Sequence, residues 1–268
     1  MAEVHTRLSS ERRHAALLDF ADTVEAVGGR YITAEDVGTS SRDMSVIAER
    51  TRHVAGLARS HGGSGDPSAF TALGVEYAIR ACCERVFPSD SLRGRHICVV
   101  GLGHVGSRVA KRCARAGAKL LLADVDSVKR RLAEQLAARW TTPERALEAE
   151  VDVLAPCALG GFLNDETVPQ LRCPVIAGAA NNQLADDTVA DQLAARGILW
   201  APDFVVNAGG LINISDELGG YDAAAARKRV GGIADTLRQI FDDAESIDAT
   251  PLTAAMELAR RRLAVGTG

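Results

Sequence analysis

The chain has 268 residues, which corresponds to about two domains of ordinary size. Its hydrophobic fraction of 47% and its charged fraction of 25% provide enough apolar side chains for a folded core and exclude a disordered chain. The formal net charge is -4, so the protein offers no basic field to a nucleic-acid backbone. Nucleic acid is therefore not expected as a partner.

Two further observations predict a cytoplasmic protein without a membrane segment. The first 20 residues carry charges throughout and lack the apolar core of about 7–15 residues that a secretory signal needs. The longest apolar runs, at residues 97–100 and 120–123, are strand-sized, whereas a membrane helix needs about 20 residues. The cysteines form no CxxC pair, and we interpret them as reduced core residues rather than redox or metal ligands. They are Cys82, Cys83, Cys98, Cys113, Cys157 and Cys173.

The N-terminal third is predicted to be mainly helical. Apolar residues at helical spacing predict a helix over residues 10–27, which a glycine pair ends. An extended segment is expected over residues 30–34, and a second apolar helix over residues 70–87. Between them, residues 61–68 (HGGSGDPS) are the most turn-rich part of the sequence, which indicates a boundary or hinge between two lobes.

The central part alternates between strands and helices. From residue 95 the pattern runs strand, glycine turn, helix and strand, which predicts a βαβ unit and a parallel sheet continuing to about Pro202. After Asn207 the pattern is helical, with helices expected over residues 222–244 and from a Thr250 cap followed by proline. The other expected elements are strands at residues 151–155, 175–177 and 198–201 and a helix over residues 186–196.

The glycine turn GLGHVG, residues 101–106, fits the GxGxxG pattern of dinucleotide-binding loops. In that pattern the glycines make the tight turn, admit a pyrophosphate to the backbone and allow close packing of helix on strand. The following helix N-terminus offers free N–H groups to the phosphates. Gly101, Gly103 and Gly106 are therefore candidate cofactor-binding residues, with His104 and Val105 between them. We interpret His104 as an exposed loop residue rather than an acid-base group.

Asp124 marks the end of the second strand, 23 residues after Gly101. A carboxylate at about that spacing binds the ribose 2′-hydroxyl of NAD. It would also repel the 2′-phosphate of NADP, so the sequence favours NAD. Basic residues follow closely at positions 129–131, and they keep NADP open as an alternative.

Four more segments accompany this loop. They are YITAEDVGT (31–39), GSGDPS (63–68) with Thr71, AANNQL (179–184) and PDFVVNAGG (202–210). Together with GLGHVG and APCA (155–158), and in this order, they resemble the Glu/Leu/Phe/Val dehydrogenases, most closely the leucine and phenylalanine dehydrogenases. The resemblance extends from about residue 10 to about residue 264.

The resemblance implies roles on the substrate side. It implies that Asp36 assists proton transfer at the substrate amine and that Asn207 contacts the substrate carboxylate or orients the cofactor. It also implies a side-chain pocket lined by Leu211 and Ile214, with Ala34 opposite. Without the resemblance, we would interpret Asp36 as an ordinary turn residue and Asn207 as a helix cap. Leu211 and Ile214 would then be core residues.

The resemblance also implies cofactor contacts outside the glycine turn. Thr71 is implied to contact the nicotinamide carboxamide, and Asn181 with Asn182 to meet the nearby ribose. Cys157, Ala158 and Ala180 belong to matching segments and are implied to line the cofactor site.

The fold implied is α/β: a Rossmann-type doubly wound sheet with a truncated substrate lobe and C-terminal helices. The expected domains are a substrate-domain remnant at residues 1–66, an NAD-binding domain at residues 67–206, and a helical segment at residues 207–268 that packs back between the lobes.

One departure from the family pattern concerns lysine. Family members carry lysines in a GGxK stretch that bind the substrate carboxylate and supply the catalytic amine, and this sequence begins after that stretch. Its lysines are Lys111, Lys119, Lys129 and Lys228. Asp36 alone cannot supply both a cation and a neutral amine. In the family, the region with that stretch also supplies most strands of the substrate lobe. We therefore expect residues 1–60 to leave exposed edges and an uncovered apolar face, and hence a partner surface, in a homo-oligomer or with a separate lysine-bearing chain.

Three hypotheses remain open at this point. The chain is the cofactor-binding part of a split amino-acid dehydrogenase, whose reaction transfers hydride at a CH–NH2 carbon. Its lysine-bearing lobe is then on a separate polypeptide or lost through a misplaced start. Alternatively, it is an NAD-dependent imine or keto reductase that needs no lysine, with Asp36 moving protons and Arg30 or Arg42 as anion anchor. The third hypothesis is a non-catalytic NAD-binding or scaffold subunit.

Overall fold

A computed structural model describes residues 9–36, 38–57, 63–215, 217 and 221–266. Val37 of the AEDVG segment and residues 61–62 of the turn-rich segment lie outside the described residues. The chain divides into two compact units: unit 1 comprises Met1–Pro67 and Leu211–Ala226, and unit 2 comprises Ser68–Gly210 and Arg227–Gly268. This division distributes residues 207–268 over both units, whereas the sequence analysis treats them as one segment.

Helices and strands follow in this order. The helices are α1 Ser10–Ala26, α2 Ser41–Ile47, α3 Ser68–Val86, α4 Gly106–Arg115, α5 Arg130–Gln135, α6 Pro143–Leu147, α7 Thr188–Ala195, α8 Asp203–Val206, α9 Gly209–Ser215, α10 Ala223–Ser246 and α11 Pro251–Gly266. The strands are β1 His96–Val100, β2 Lys119–Ala123, β3 Arg139–Thr141, β4 Val153–Pro156, β5 Val175–Ile176 and β6 Leu199–Trp200.

Unit 2 is organised around a six-stranded sheet with the order β3-β2-β1-β4-β5-β6. All strand pairs are parallel. The central strands are buried on both faces, as the consecutive buried residues Ile97, Cys98 and Val99 of β1 show, because helices cover both sides of a parallel sheet. The chain builds the sheet outward in one direction from β1 to β3 and in the opposite direction from β4 to β6. Doubly wound sheets bind their ligands at this switch point, between β1 and β4.

The regular structure of unit 1 is helical, and its described residues form no strand of a sheet. α1 and α2 enclose a small core of Ala21, Met44, Ile47 and Val54. The extended segment predicted at residues 30–34 forms one isolated parallel bridge, between Thr33 and Val54. Two backbone hydrogen bonds hold it, from Thr33 N to His53 O at 3.0 Å and from Ala55 N to Thr33 O at 2.8 Å.

Most of the cysteines belong to the core. All six cysteines are free, and all except Cys157 are buried. Burial raises the pKa of the Cys83 thiol to about 11, so the side chain stays neutral and packs as a small apolar group.

Among the described residues, no helix combines the length and the apolar character that crossing a bilayer demands.

Candidate functional site

The glycine turn lies in unit 2 between β1 and α4, at the switch point of the sheet. Gly101 has a φ of +90°, and a Cβ there would lie 2.6 Å from the Ala158 side chain. A Cβ at Gly106 would lie 1.9 Å from the Gly101 carbonyl oxygen. Gly103, by contrast, has no protein atom within 4 Å of that position. The turn is closed where it packs on the sheet and open where a ligand would approach.

The first turn of α4 faces this opening. Val105 precedes the helix and supplies no side-chain cap, so the helix N-terminus is suited to an anion. His104 is exposed, and its carbonyl accepts a hydrogen bond from the Arg108 guanidinium at 2.6 Å. A side chain of α4 therefore helps to hold the conformation of the glycine turn.

Asp124 is fixed beside the same turn. It follows β2 and is half-buried. Its Oδ2 accepts a hydrogen bond from Leu102 N at 2.6 Å, and its Oδ1 accepts one from Asp126 N at 2.9 Å. Gly101 N donates to Ala123 O at 2.8 Å. The carboxylate thus lies next to the glycine turn, as its spacing in the sequence predicts.

An apolar cavity of about 360 Å³ borders Asp124. Its walls come from several connections at the carboxyl ends of the strands. They include Val125, Pro143, Leu147, Pro156, Leu159 and Phe162. Leu159 is 86% exposed, so it offers an apolar surface to a ligand. Sequence reasoning missed α6 and Phe162 as site residues, because nothing in their local pattern signals a ligand.

Asn207 and Asn181 meet in unit 2. Asn207 follows α8, where it is the C-terminal cap residue. Its Nδ2 donates to Asn181 Oδ1 at 2.6 Å. The neighbouring Asn182 has a φ of +51°, and a Cβ at Gly160 would lie 2.2 Å from Asn181 O. The NAGG and AANN segments are therefore brought together, and the backbone around them is tightly constrained.

Two buried polar residues hold this asparagine loop, and the sequence analysis did not single them out. Gln183 is fully buried, and its Nε2 donates to Gly178 O at 2.9 Å and to Ala180 O at 3.0 Å. Trp200 Nε1 donates to Gln183 Oε1 at 3.1 Å. Asp203 Oδ2 accepts from Gln183 N at 2.7 Å. Asp203 lies two residues after the strand-like run at residues 198–201, and this position was an available signal for that residue.

The remaining cofactor candidates of unit 2 lie at neighbouring positions. Thr71 is half-buried in the first turn of α3, and a Cβ at Gly209 would lie 3.2 Å from the Thr71 Cα. The pKa of the Cys157 thiol is raised to about 11 because its sulfur is buried, which makes it a packing group. Ala180 is buried, whereas Ala158 is exposed.

Asp36 lies in unit 1 as an exposed residue of a tight turn. Its backbone N–H donates to Thr39 Oγ1 at 2.9 Å, and Thr39 N donates to Asp36 O at 2.9 Å. Arg13 of α1 donates to Gly38 O at 2.8 Å and forms an ion pair with Asp43 at 3.0 Å. The hydrogen bond from the Arg13 guanidinium to the Asp43 carboxylate is the main cause of the lowered pKa of Asp43.

The expected side-chain pocket residues also belong to unit 1. Ala34 and Ile214 are half-buried, and Leu211 is 72% exposed. Leu211 and Ile214 lie on α9, one turn apart, so they fall on one face of the helix. These apolar side chains are therefore not simple core.

Residues 120–265 match the family model of glutamate/leucine/phenylalanine/valine dehydrogenases. Residues 77–160 also match the NAD-binding domain of D-isomer specific 2-hydroxyacid dehydrogenases. The first match covers more than half of the chain. The chain belongs to the glutamate/leucine/phenylalanine/valine dehydrogenase family.

Individual relatives agree with this assignment. A leucine dehydrogenase from Thermoactinomyces intermedius is 42% identical over 90% of the chain and 66% of its own length. A valine dehydrogenase from Streptomyces albus is 42% identical over 92% of the chain and 69% of its own length. The crystal structure of L-tryptophan dehydrogenase from Nostoc punctiforme superposes with a TM-score of 0.83, at 37% identity, covering 95% of this chain and 73% of that one.

These matches confirm three expectations: the family, the doubly wound α/β fold class and NAD as the cofactor. The chain spans about two thirds of the length of the curated relatives it matches. The roles of single residues stay predictions.

Proposed function

We propose that this chain belongs to an NAD-dependent amino-acid dehydrogenase and forms its cofactor-binding part. The reaction removes hydride and a proton from a CH–NH2 group. The observation that carries this proposal is the 42% identity with a leucine dehydrogenase over 90% of the chain, because that match includes residues of both units.

The residues of unit 2 fit the cofactor. The open space above Gly103 and the uncapped start of α4 suit a pyrophosphate. The Asp124 carboxylate retains lone pairs that can accept ribose hydroxyls. The apolar cavity beside it suits a flat adenine ring. Asn181 and Thr71 would then hold the nicotinamide half.

Bound NAD supplies the hydride acceptor. In the proposed reaction, Asp36 takes a proton from the substrate amine while hydride leaves the Cα, which gives an imine. Addition of water to the imine then releases ammonia and a keto acid. Asn207 holds the substrate carboxylate through its amide. The family resemblance supports the proton-transfer role of Asp36, and its exposed position is compatible with exchange of a proton with a substrate.

The substrate we propose is an α-amino acid with an apolar side chain. Leu211, Ile214 and Ala34 offer hydrocarbon surface and no charge to a substrate side chain. The relatives that share 37–42% identity with the chain are named for leucine, valine and tryptophan, which supports the same class.

The test is a substrate screen on the protein isolated with whatever chains accompany it. Formation of NADH is followed with leucine, valine, phenylalanine, tryptophan and glutamate as substrates. We expect NADH with one or more of the apolar amino acids and none with glutamate. Reduction of an imine or keto compound without any amino-acid oxidation would instead establish the lysine-free reductase.

We further propose that the lysines of the family mechanism are supplied by sequence outside these 268 residues. All four lysines of this sequence fall within unit 2, and none falls in unit 1 with Asp36. A tagged pull-down from native cells, followed by mass determination of the intact assembly, tests this idea. We expect a GGxK segment, on the same polypeptide or on a separate chain. An active homo-oligomer with no such segment would contradict it.

We also infer that the protein acts in the cytoplasm. Its five buried thiols support a reducing compartment. Cell fractionation with an antibody against the chain tests the location, and recovery in an extracytoplasmic fraction would contradict it.

A further inference from the structure

Glu217 makes an uncommon pair of contacts in unit 1. Its Oε1 accepts a hydrogen bond from Ser64 N at 2.7 Å, and its Oε2 accepts one from Gly56 N at 2.8 Å. The two backbone donors lie 153 and 161 residues before it in the sequence. Both oxygens of one half-buried carboxylate are therefore engaged by main-chain N–H groups. Hydrogen bonds to an ionised acceptor are about twice as strong as neutral ones.

The two donors mark the ends of one loop. Gly65 N donates to Leu57 O at 3.0 Å, so the chain returns close to its starting point between residues 57 and 65. A Cβ at Gly63 would lie 2.2 Å from that same Leu57 oxygen, and Ser64 is 1% exposed. The loop ends are thus packed tightly, and Glu217 ties both of them to the segment that follows α9.

Gly56 connects this arrangement to the turn that contains Asp36. It has a φ of +78°, and a Cβ there would lie 3.5 Å from Glu35 N. Ala55, the residue before Gly56, donates its N–H to Thr33 O at 2.8 Å. The Gly56 segment is therefore hydrogen-bonded to the segment that leads into Asp36.

We propose that Glu217 is a positioning residue. Its carboxylate clamps Gly56 and Ser64, and through Gly56 it fixes the backbone before Asp36. Glu217 lies two residues after the end of α9, the helix that carries Leu211 and Ile214, so the same clamp ties the loop ends to that part of the chain. The structural clamp stands on the geometry alone, whereas its kinetic consequence rests on the proposed function.

Amide hydrogen exchange in the full chain tests the clamp. We expect Gly56 and Ser64 to exchange slowly in the wild-type protein and about tenfold faster or more in Glu217→Gln, since the amide group keeps one acceptor oxygen where the carboxylate has two. The matched control is Glu49→Gln, at an exposed glutamate of unit 1, which should leave both amides unchanged. Fast exchange of both amides in the wild-type chain overturns the clamp without any variant.

Kinetics of the active assembly then test positioning. We expect Glu217→Gln to lower kcat/KM for the amino acid about tenfold, while the Kd of NADH stays at the wild-type value. Loss of amide protection with unchanged kcat/KM would overturn the positioning role, and so would a parallel loss of NADH affinity. If the wild-type assembly oxidises no amino acid, the proposed function fails, and the exchange experiment still decides whether the clamp exists.

Discussion

The two units position their candidate residues by different physical means. In unit 2, the glycine turn, Asp124 and the asparagine loop follow the ends of parallel strands that are buried on both faces. In unit 1, the described residues form one isolated bridge and a core of four buried side chains. The Asp36 turn is held there by hydrogen bonds with Thr39 and by the Arg13 side chain.

This difference indicates how each unit responds to substitution. Where helices and strands pack most closely, no added atom fits. The stability of unit 2 is therefore most sensitive to substitutions that enlarge a side chain. Hydrogen bonds and ion pairs near the surface contribute less each, so unit 1 is sensitive to charge and donor chemistry. The following variants compare the two kinds of support.

The largest effect is expected at the proton-transfer residue of unit 1. Asp36→Asn keeps the size of the side chain and removes its basicity, so we expect kcat to fall by about 100-fold or more. The Kd of NADH, measured by its fluorescence, should remain unchanged. Asp19→Asn, at an exposed aspartate of α1, is the control. Undiminished turnover in Asp36→Asn would remove this residue from the mechanism.

The second effect tests packing in unit 2. Gly106→Ala places a Cβ 1.9 Å from the Gly101 carbonyl oxygen, so the glycine turn must shift. We expect NADH affinity to fall by about 100-fold, which corresponds to roughly 2.7 kcal/mol, together with a loss of stability of about 1–3 kcal/mol.

Another glycine provides the control for this variant. Gly232 lies in α10 with nothing within 4 Å of a Cβ position. Gly232→Ala should preserve NADH binding and raise stability by about 0.5–1 kcal/mol. Equal NADH affinity in Gly106→Ala and Gly232→Ala would show that the turn does not determine binding.

Sequence reasoning predicted unit 2 well because periodicity and glycine spacing there agree with the tertiary structure. The βαβ unit and Asp124 follow from local patterns, and the strand predicted after residue 95 is β1, His96–Val100. β3 was not predicted, since Arg139–Thr141 is short and only partly buried. Gln183 and Asp203 were missed because their roles depend on hydrogen bonds across 17–20 residues.

Prediction was weaker in unit 1. The segment at residues 30–34 has strand composition, yet a strand needs a partner, and only Thr33 finds one among the described residues. The contacts of Glu217 with Gly56 and Ser64 carry no sequence signal, because backbone donors have no residue identity. The family resemblance supplied Asp36, which composition and spacing alone do not mark.

The third effect concerns the polar support of the asparagine loop. Gln183→Ala leaves Trp200 Nε1 and two buried carbonyls without their partner, so we expect a loss of about 1–3 kcal/mol in the free energy of unfolding. Urea denaturation measures this value. Gln135→Ala on exposed α5 should change it by less than about 0.5 kcal/mol. Equal stabilities of the two variants would contradict the supporting role of Gln183.

The fourth effect is a change in cofactor preference. Asp124→Ser removes the negative charge that would oppose a 2′-phosphate, while a hydroxyl remains at the site. We expect NADH to bind about tenfold more weakly, a loss of roughly 1.4 kcal/mol, and NADPH to gain relative to it. Fluorescence titration with both cofactors measures the ratio. An unchanged ratio would mean that the ribose is held elsewhere.

The smallest effect is expected at the ion pair of unit 1. Arg13 is 43% exposed, so Arg13→Gln should lower the free energy of unfolding only slightly at neutral pH. The folded-state pKa of Asp43 is lowered mainly by Arg13, so this stabilisation is present above the ordinary aspartate pKa of about 3.9 and disappears as the pH falls through the folded value. Unfolding curves of wild type and Arg13→Gln should therefore converge in acid. A difference that persists at the lowest pH would assign the contribution of Arg13 to its hydrogen bond with Gly38 rather than to the charge of Asp43.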